Sequence, residues 1–278
     1  MFKAFNLNLA DTSFLGLGEN LSYSKNTKSK VEKSLNDFFL SDGSIDGAKL
    51  TSEWFPELND IEVFISHSHK DIEKAEVLAD WLFETFNIKS FLDSHVWGYS
   101  NDLLKNIDNE YARKTDDGSY SYEIRNETTS HIHMMLASSL NNMIDRTECL
   151  IFLNTSNAID HISLSDEVSE HRTASPWIMS ELHTSSMIRI KENISRERIS
   201  VGNEARNESA DFLKKSASFP VIRHKAHLDH LLPLNVSDLT KWKVSSDGLK
   251  KYDALTLLYN ITGDENFILK ETLESFFG

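Results

Sequence analysis

The chain holds a single cysteine, and that scarcity excludes an intrachain disulfide. Cys149 lies inside the apolar run CLIFL, so a buried, inert thiol is expected there rather than a nucleophile. Basic runs are missing as well. Lys and Arg total 29 against 43 Asp and Glu, giving a net charge of −14 and a pI near 5.2. That balance argues against binding to a nucleic-acid backbone as the main activity. No apolar run approaches the roughly 18 residues a membrane span needs. The opening stretch MFKAFNLNLADTSF is broken by Asn and Asp and lacks a signal-peptide core. The expectation is a soluble, cytoplasmic protein without a nucleic-acid or membrane partner. No internal repeat is visible.

What is present is ample core material: 278 residues that are 40% hydrophobic, with an ordinary charged fraction of 26%. That length suits one large domain, or one domain with extensions. The organising stretch is IEVFISHSHKD, Ile61 to Asp71. Its short apolar run, Ile61, Val63, Phe64 and Ile65, predicts a strand buried on both faces of a parallel sheet. The run stops at Ser66, a polar tetrad follows to His69, and then Ile72, Ala75, Leu78, Ala79, Leu82 and Phe86 trace one helical face. Ser68 and Asp71 stand at a capping-box spacing. Ligands of open α/β sheets sit beyond the carboxyl ends of strands, which makes Ser66 to Asp71 a candidate binding rim.

Residues 1–59 read as an N-terminal helical extension, with an amphipathic pattern over 28–40, packed on the main domain to shelter Trp54, Phe55 and Leu58. A second strand, Ser90 to Leu92, empties into a turn-rich loop, Asp93 to Asn101, that carries Trp97 and Tyr99. Residues 103–111 and 134–144 read as helical, and 113–130 as a surface loop or small hairpin. Cys149 to Leu153 is a third buried strand, followed by a polar connection over 154–174. Ser175 and Pro176 then mark a helix start. A charged, Asn-rich excursion spans 195–217. A fourth strand is expected near 219–223, a fifth near 239–244, and terminal helices over 249–259 and 265–277. Strands alternating with helices imply a flavodoxin-like, doubly wound parallel sheet. It spans 60–245, carries insertions near 113–130 and 195–217, and is followed by C-terminal helices over 246–278.

Trp177 and Glu181, in WIMSE, are four apart and share one helical face. Two readings compete. Trp177 packs in the core while Glu181 is solvated, or both face the rim on which the loops after strands one, two and three open. VFISHSHKD, the FLDSHVWGY loop, the CLIFLNTS strand and SPWIMSEL, in that order, resemble a bacterial TIR (Toll/interleukin-1 receptor) domain over roughly 60–245. The resemblance implies a strand, a BB loop at Asp93 to Asn101, and a WxxxE helix. It also implies cleavage of NAD at the nicotinamide–ribose bond by Glu181 with Trp177 as companion, as in relatives that release cyclic or modified ADP-ribose signals in Thoeris-type phage defence. NAD is then a substrate and not a cofactor. The expected partners are further copies of the chain, through TIR–TIR contacts, and a downstream effector sensing the product.

The chemistry is coherent on its own terms. Nicotinamide leaves NAD as a neutral molecule, so no general acid is needed, whereas ordinary glycosidases require two carboxyl groups. One carboxylate near the ribose holds its hydroxyls and stabilises the developing oxocarbenium charge. Ser66, His67 and Ser68 are candidates for holding phosphate or ribose, and Asp93 is a further candidate for substrate binding; Trp97, Tyr99 and Trp177 are candidates for stacking, with plain packing the rival role. A metal hydrolase is the alternative that HSHKD raises, by its likeness to the HxHxDH motif of metallo-β-lactamase folds. Position 72 is Ile, however, where that motif has its last histidine. Further imidazoles stand at His131, His133, His224, His227 and His230. No metal is expected. The other alternative is a non-enzymatic scaffold that assembles through the BB loop.

Overall fold

The computed structural model describes residues 3–9, 35–114, 118–165, 168–188 and 221–263, except for the side chains of 35–36, 93–99, 163–165 and 168–169. Five strands form the central sheet: β1 (Lys3–Leu7), β2 (Val63–Ser66), β3 (Ser90–Leu92), β4 (Cys149–Leu153) and β8 (Leu232–Leu234). Their order is β3-β2-β4-β1-β8, and every neighbouring pair is parallel. Three further strands, β5 (Asp160–Ser165), β6 (Val168–Thr173) and β7 (His224–Lys225), make a separate antiparallel sheet. Seven α-helices cover the central sheet: α1 (Gly47–Trp54), α2 (Ile72–Phe86), α3 (Asp93–Ile107), α4 (Tyr122–Arg146), α5 (Pro176–Met187), α6 (Val236–Ser245) and α7 (Lys251–Thr262). The arrangement is α/β and compatible with a flavodoxin-like fold. Among the described residues no helix is long and apolar enough to cross a membrane.

The strands divide two cores between them by their period of two. Phe64, Phe91, Leu150 and Phe152 face one layer, where α1, α3, α4 and α5 contribute Trp54, Leu103, Leu136 and Leu182. Phe5, Val63, Ile65, Cys149 and Ile151 face the other, against α2, α6 and α7. There Phe86 stacks on Trp242 at 4.0 Å, with Trp81 edge-on to both. Cys149 is fully buried and its thiol is pushed up by that burial, as the inert reading expects. Helix α2 ends at Asn87, whose φ of 55° gives the left-handed C-terminal turn that Asn tolerates.

Several expectations change. Lys3–Leu7, expected in a helical extension, is instead a strand between β4 and β8, with Phe5 and Leu7 fully buried. Trp54 and Phe55 are buried as expected, while Leu58 remains exposed. Of the helix expected over 28–40, residues 28–34 lie outside the described residues, and 35–38 form one 3-10 turn. Asp93 to Asn101 is not a loop, because α3 starts directly after β3. Asp93 and Ser94 suit a first helical turn, and the inward positions Ser100, Leu103 and Ile107 supply the helical period that turn-forming composition obscured.

The polar stretch 113–130 splits into a bridge between Arg113 and Tyr120 and the beginning of α4, which Ser121 caps. The connection 154–174 contains the β5–β6 hairpin, whose largely polar sequence hides strand periodicity. The fifth strand is Leu232–Leu234; residues 239–244 belong to α6, which starts at an Asn235–Asp238 capping box. The strand expected near 219–223 is displaced to His224–Lys225, in the antiparallel sheet, and 219–220 lie outside the described residues. So do 195–217 and the helix expected over 265–277. Helix α7, expected in a C-terminal addition, packs Leu255, Leu258 and Tyr259 into the shared core.

If β1 is a core strand, Phe5→Ala removes a fully buried ring that stacks on Tyr259 at 6.1 Å. The expected cost is about 3–5 kcal/mol in urea unfolding. A loosely packed extension would show a change below about 0.5 kcal/mol.

Candidate functional site

The site begins where β2 stops. Val63 to Ser66 are all buried, and Ser66 stands opposite Phe152 of β4. The chain leaves β2 into α2 on one face of the sheet; after β4 and the hairpin it enters α5 on the other. Adjacent strands whose connections diverge in this way leave a crevice at their carboxyl ends.

Helix α5 delivers Glu181 to that end of the sheet. Ser175 accepts a bond from the Ile178 N–H, and Pro176 occupies the first turn, as the sequence predicts. Counting from that start, Ile178, Glu181, Leu182 and Ser185 form the buried stripe. Glu181 therefore lies inside the buried stripe, next to Ile178 and Leu182, is 1% exposed, and accepts a 2.6 Å hydrogen bond from the Ser66 hydroxyl. The reading in which this carboxyl is solvated is overturned. Trp177 is half-buried, packs against the same core, and meets the His133 ring edge-on at 5.7 Å.

Two more polar contacts fix α5. Thr184 donates to Asn141 of α4 at 2.8 Å. Ser185 donates to the Leu182 carbonyl at 2.9 Å and contacts His230 Nε2 at 2.7 Å. Burial, and then the neighbouring His227, lower the His230 pKa, with Asp229 opposing them.

The rim behind β2 is tightly held. His67 is buried, and its Nδ1 donates to the Ile65 carbonyl at 3.1 Å. Ser68 is half-buried and makes no side-chain cap; its carbonyl takes the Asp71 N–H at 2.7 Å. The capping role expected of Ser68 and Asp71 is not realised, because Asp71 turns across the crevice. It accepts from Thr155 Oγ1 at 2.6 Å and Asn157 Nδ2 at 3.0 Å, both in the loop after β4, and pairs with Lys74 at 3.3 Å. Burial raises the Asp71 pKa, but the Thr155, Asn157 and Lys74 contacts outweigh it and hold the carboxylate below its ordinary value. Thr155 and Asn157 were not singled out from sequence. Their signal was the abrupt change from buried strand to polar triplet in FLNTS, which repeats the change at Ser66.

The structure thus joins Glu181 to Ser66, with His67 following Ser66 in the chain. The backbone of Asp93, Trp97 and Tyr99 forms the first turns of α3, and their side chains lie outside the described residues. His69 is exposed while His67 is buried, so HSHKD does not present paired imidazoles. His227 lies against His183, at 5.4 Å between ring centres. Among the described residues no group of three or more His, Cys, Asp or Glu is arranged to hold a metal ion. Comparison of the chain with models of known families, with characterised proteins and with solved structures gives no match.

The depressed Asp71 pKa has a definite sign. A carboxylate held below its unfolded value stabilises the fold above that value, about 3.9, and the contribution is lost as pH falls through the lower, folded one. Asp71→Asn is expected to lower stability at neutral pH by about 1–3 kcal/mol. It is also expected to flatten the acid limb of a stability-versus-pH curve below about pH 4. An acid limb identical to wild type would remove Asp71 from the crevice's electrostatics.

Proposed function

We propose that the chain is a TIR-like enzyme of flavodoxin-like fold that cleaves NAD at the nicotinamide–ribose bond, with Glu181 as the catalytic carboxylate. The observation that carries this reading is the 2.6 Å bond between Glu181 and Ser66. It brings the Glu181 carboxyl to the carboxyl end of β2, where α/β sheets bind nucleotides, while Asp71 nearby is engaged by Thr155, Asn157 and Lys74. A lone carboxylate suits this reaction because the departing nicotinamide needs no proton. Glu181 holds the ribose hydroxyls and stabilises the positive charge that develops at the anomeric carbon. Water as the acceptor gives ADP-ribose; an acceptor atom within the dinucleotide gives a cyclic product.

At 1% exposure the carboxylate meets a ribose only when the Ser66 contact opens or neighbouring side chains part. Self-association of several copies through TIR-type contacts is the step proposed to open it, and a downstream effector is the proposed reader of the product in antiphage defence. The same burial favours a second reading, in which Glu181 only anchors α5 to the sheet and the protein is a scaffold.

Mass spectrometry of NAD incubated with the concentrated, assembled protein separates the two. The enzyme reading expects nicotinamide release by wild type and a loss of at least about a hundredfold in Glu181→Gln. Gln keeps an acceptor for Ser66, so the thermal midpoint should hold. Equal turnover by both proteins removes Glu181 as the catalytic group, and none by assembled wild type favours the scaffold.

A further inference from the structure

The β5–β6 hairpin places two imidazoles together that no spacing in the sequence associates. His161 stands directly opposite His171 in the antiparallel register, and their rings lie 4.4 Å apart between centres, at 68° between planes. Both side chains are exposed. Opposite residues share a face, so the charged Asp160, Glu170, Arg172 and Lys225 occupy the other face by register, and His224 stands diagonally across from His171 on the same one. The pair is held from both sides. Asp160 is ion-paired to Arg223, and the His171 carbonyl takes the Ala226 N–H at 3.0 Å, which ties the hairpin to the segment that carries β7.

We propose that His161 and His171 form a cross-strand chelate for a divalent transition-metal ion of the Cu(II) or Ni(II) class, with water completing the coordination shell. A metal about 2.0–2.1 Å from an imidazole nitrogen lies about 3.2 Å from the ring centre. Two such ligands at right angles then put their ring centres about 4.5 Å apart, whereas a tetrahedral angle requires about 5.2 Å. The observed 4.4 Å puts the two rings within reach of one shared ion, and imidazole ligands suit Cu(II) and Ni(II). Backbone pairing fixes the two Cα positions beforehand, so only side-chain rotation is required for binding. Ligation needs neutral imidazoles, so binding weakens on acidification. The proposal is independent of NAD cleavage, because the pair lies on the hairpin and its readout is metal binding.

The full chain is titrated with Cu(II) while the imidazole proton resonances of its 11 histidines are followed by NMR. Substoichiometric metal should broaden His161 and His171 first. His161→Ala and His171→Ala should each weaken the tightest binding event at least tenfold in calorimetry, and His183→Ala should leave it unchanged. Both hairpin side chains are exposed, so circular dichroism should report an unaltered fold. Broadening spread evenly over all histidines, unchanged affinity in the two hairpin variants, or loss of binding in His183→Ala would each overturn the chelate.

Discussion

A sheet covered on both faces leaves the ends of its strands as the place where polar groups gather. Every residue of β2 and β4 is buried, and the two aromatic and aliphatic cores close over the sheet from opposite sides. Backbone groups within the strands are satisfied by the ladder. Side-chain polarity is therefore concentrated at the strand ends, at the carboxyl edge in Ser66, His67, Asp71, Thr155, Asn157 and Glu181, and at the amino edge in Glu62, Ser90 and Thr147. The contacts among them span elements distant in sequence: β2 with α5 through Ser66 and Glu181, and the start of α2 with the loop after β4 through Asp71. Buried polar groups of this kind are costly when unmatched, so each contact also specifies how its two elements meet.

The same constraint explains what could be read from the sequence. A strand buried on both faces is an unbroken apolar run, and β2, β3 and β4 were legible for that reason. The α5 start was legible because Ser175 and Pro176 act locally, within one turn. Lys3–Leu7 was missed because Asn6 and Asn8 interrupt its apolar residues, and only its neighbours β4 and β8 make it a strand. Helix α3 was missed because Asp, Ser, Gly and Asn outweighed its inward-facing period in the composition. The spacing of Trp177 and Glu181 showed a shared helical face, but not which of the two the core would take. Packing decided that, and it buried the acid more deeply than the indole.

That inversion bears on both proposed roles. Helix α5 is joined by polar contacts to three separate elements: β2 through Glu181, α4 through Thr184, and the segment before β8 through Ser185 and His230. A helix fastened at successive turns does not slide or rotate freely, so its acid keeps a fixed depth relative to the sheet. For catalysis this is preorganisation, which places the carboxylate before the substrate arrives. For a scaffold it is plain mechanical support.

The insertion of β1 between β4 and β8 has a consequence for how the chain comes into being. Leu7 is synthesised well before its partners Leu153 and Leu234. Until β4 is made, β1 is a hydrophobic segment with no strand to pair with, and until β8 follows, its other edge stays unpaired. Long-range pairing of this sort is slow and exposes sticky intermediates. β1 thus waits for both of its neighbours, and β8, the last of the five strands in the chain, completes that side of the sheet.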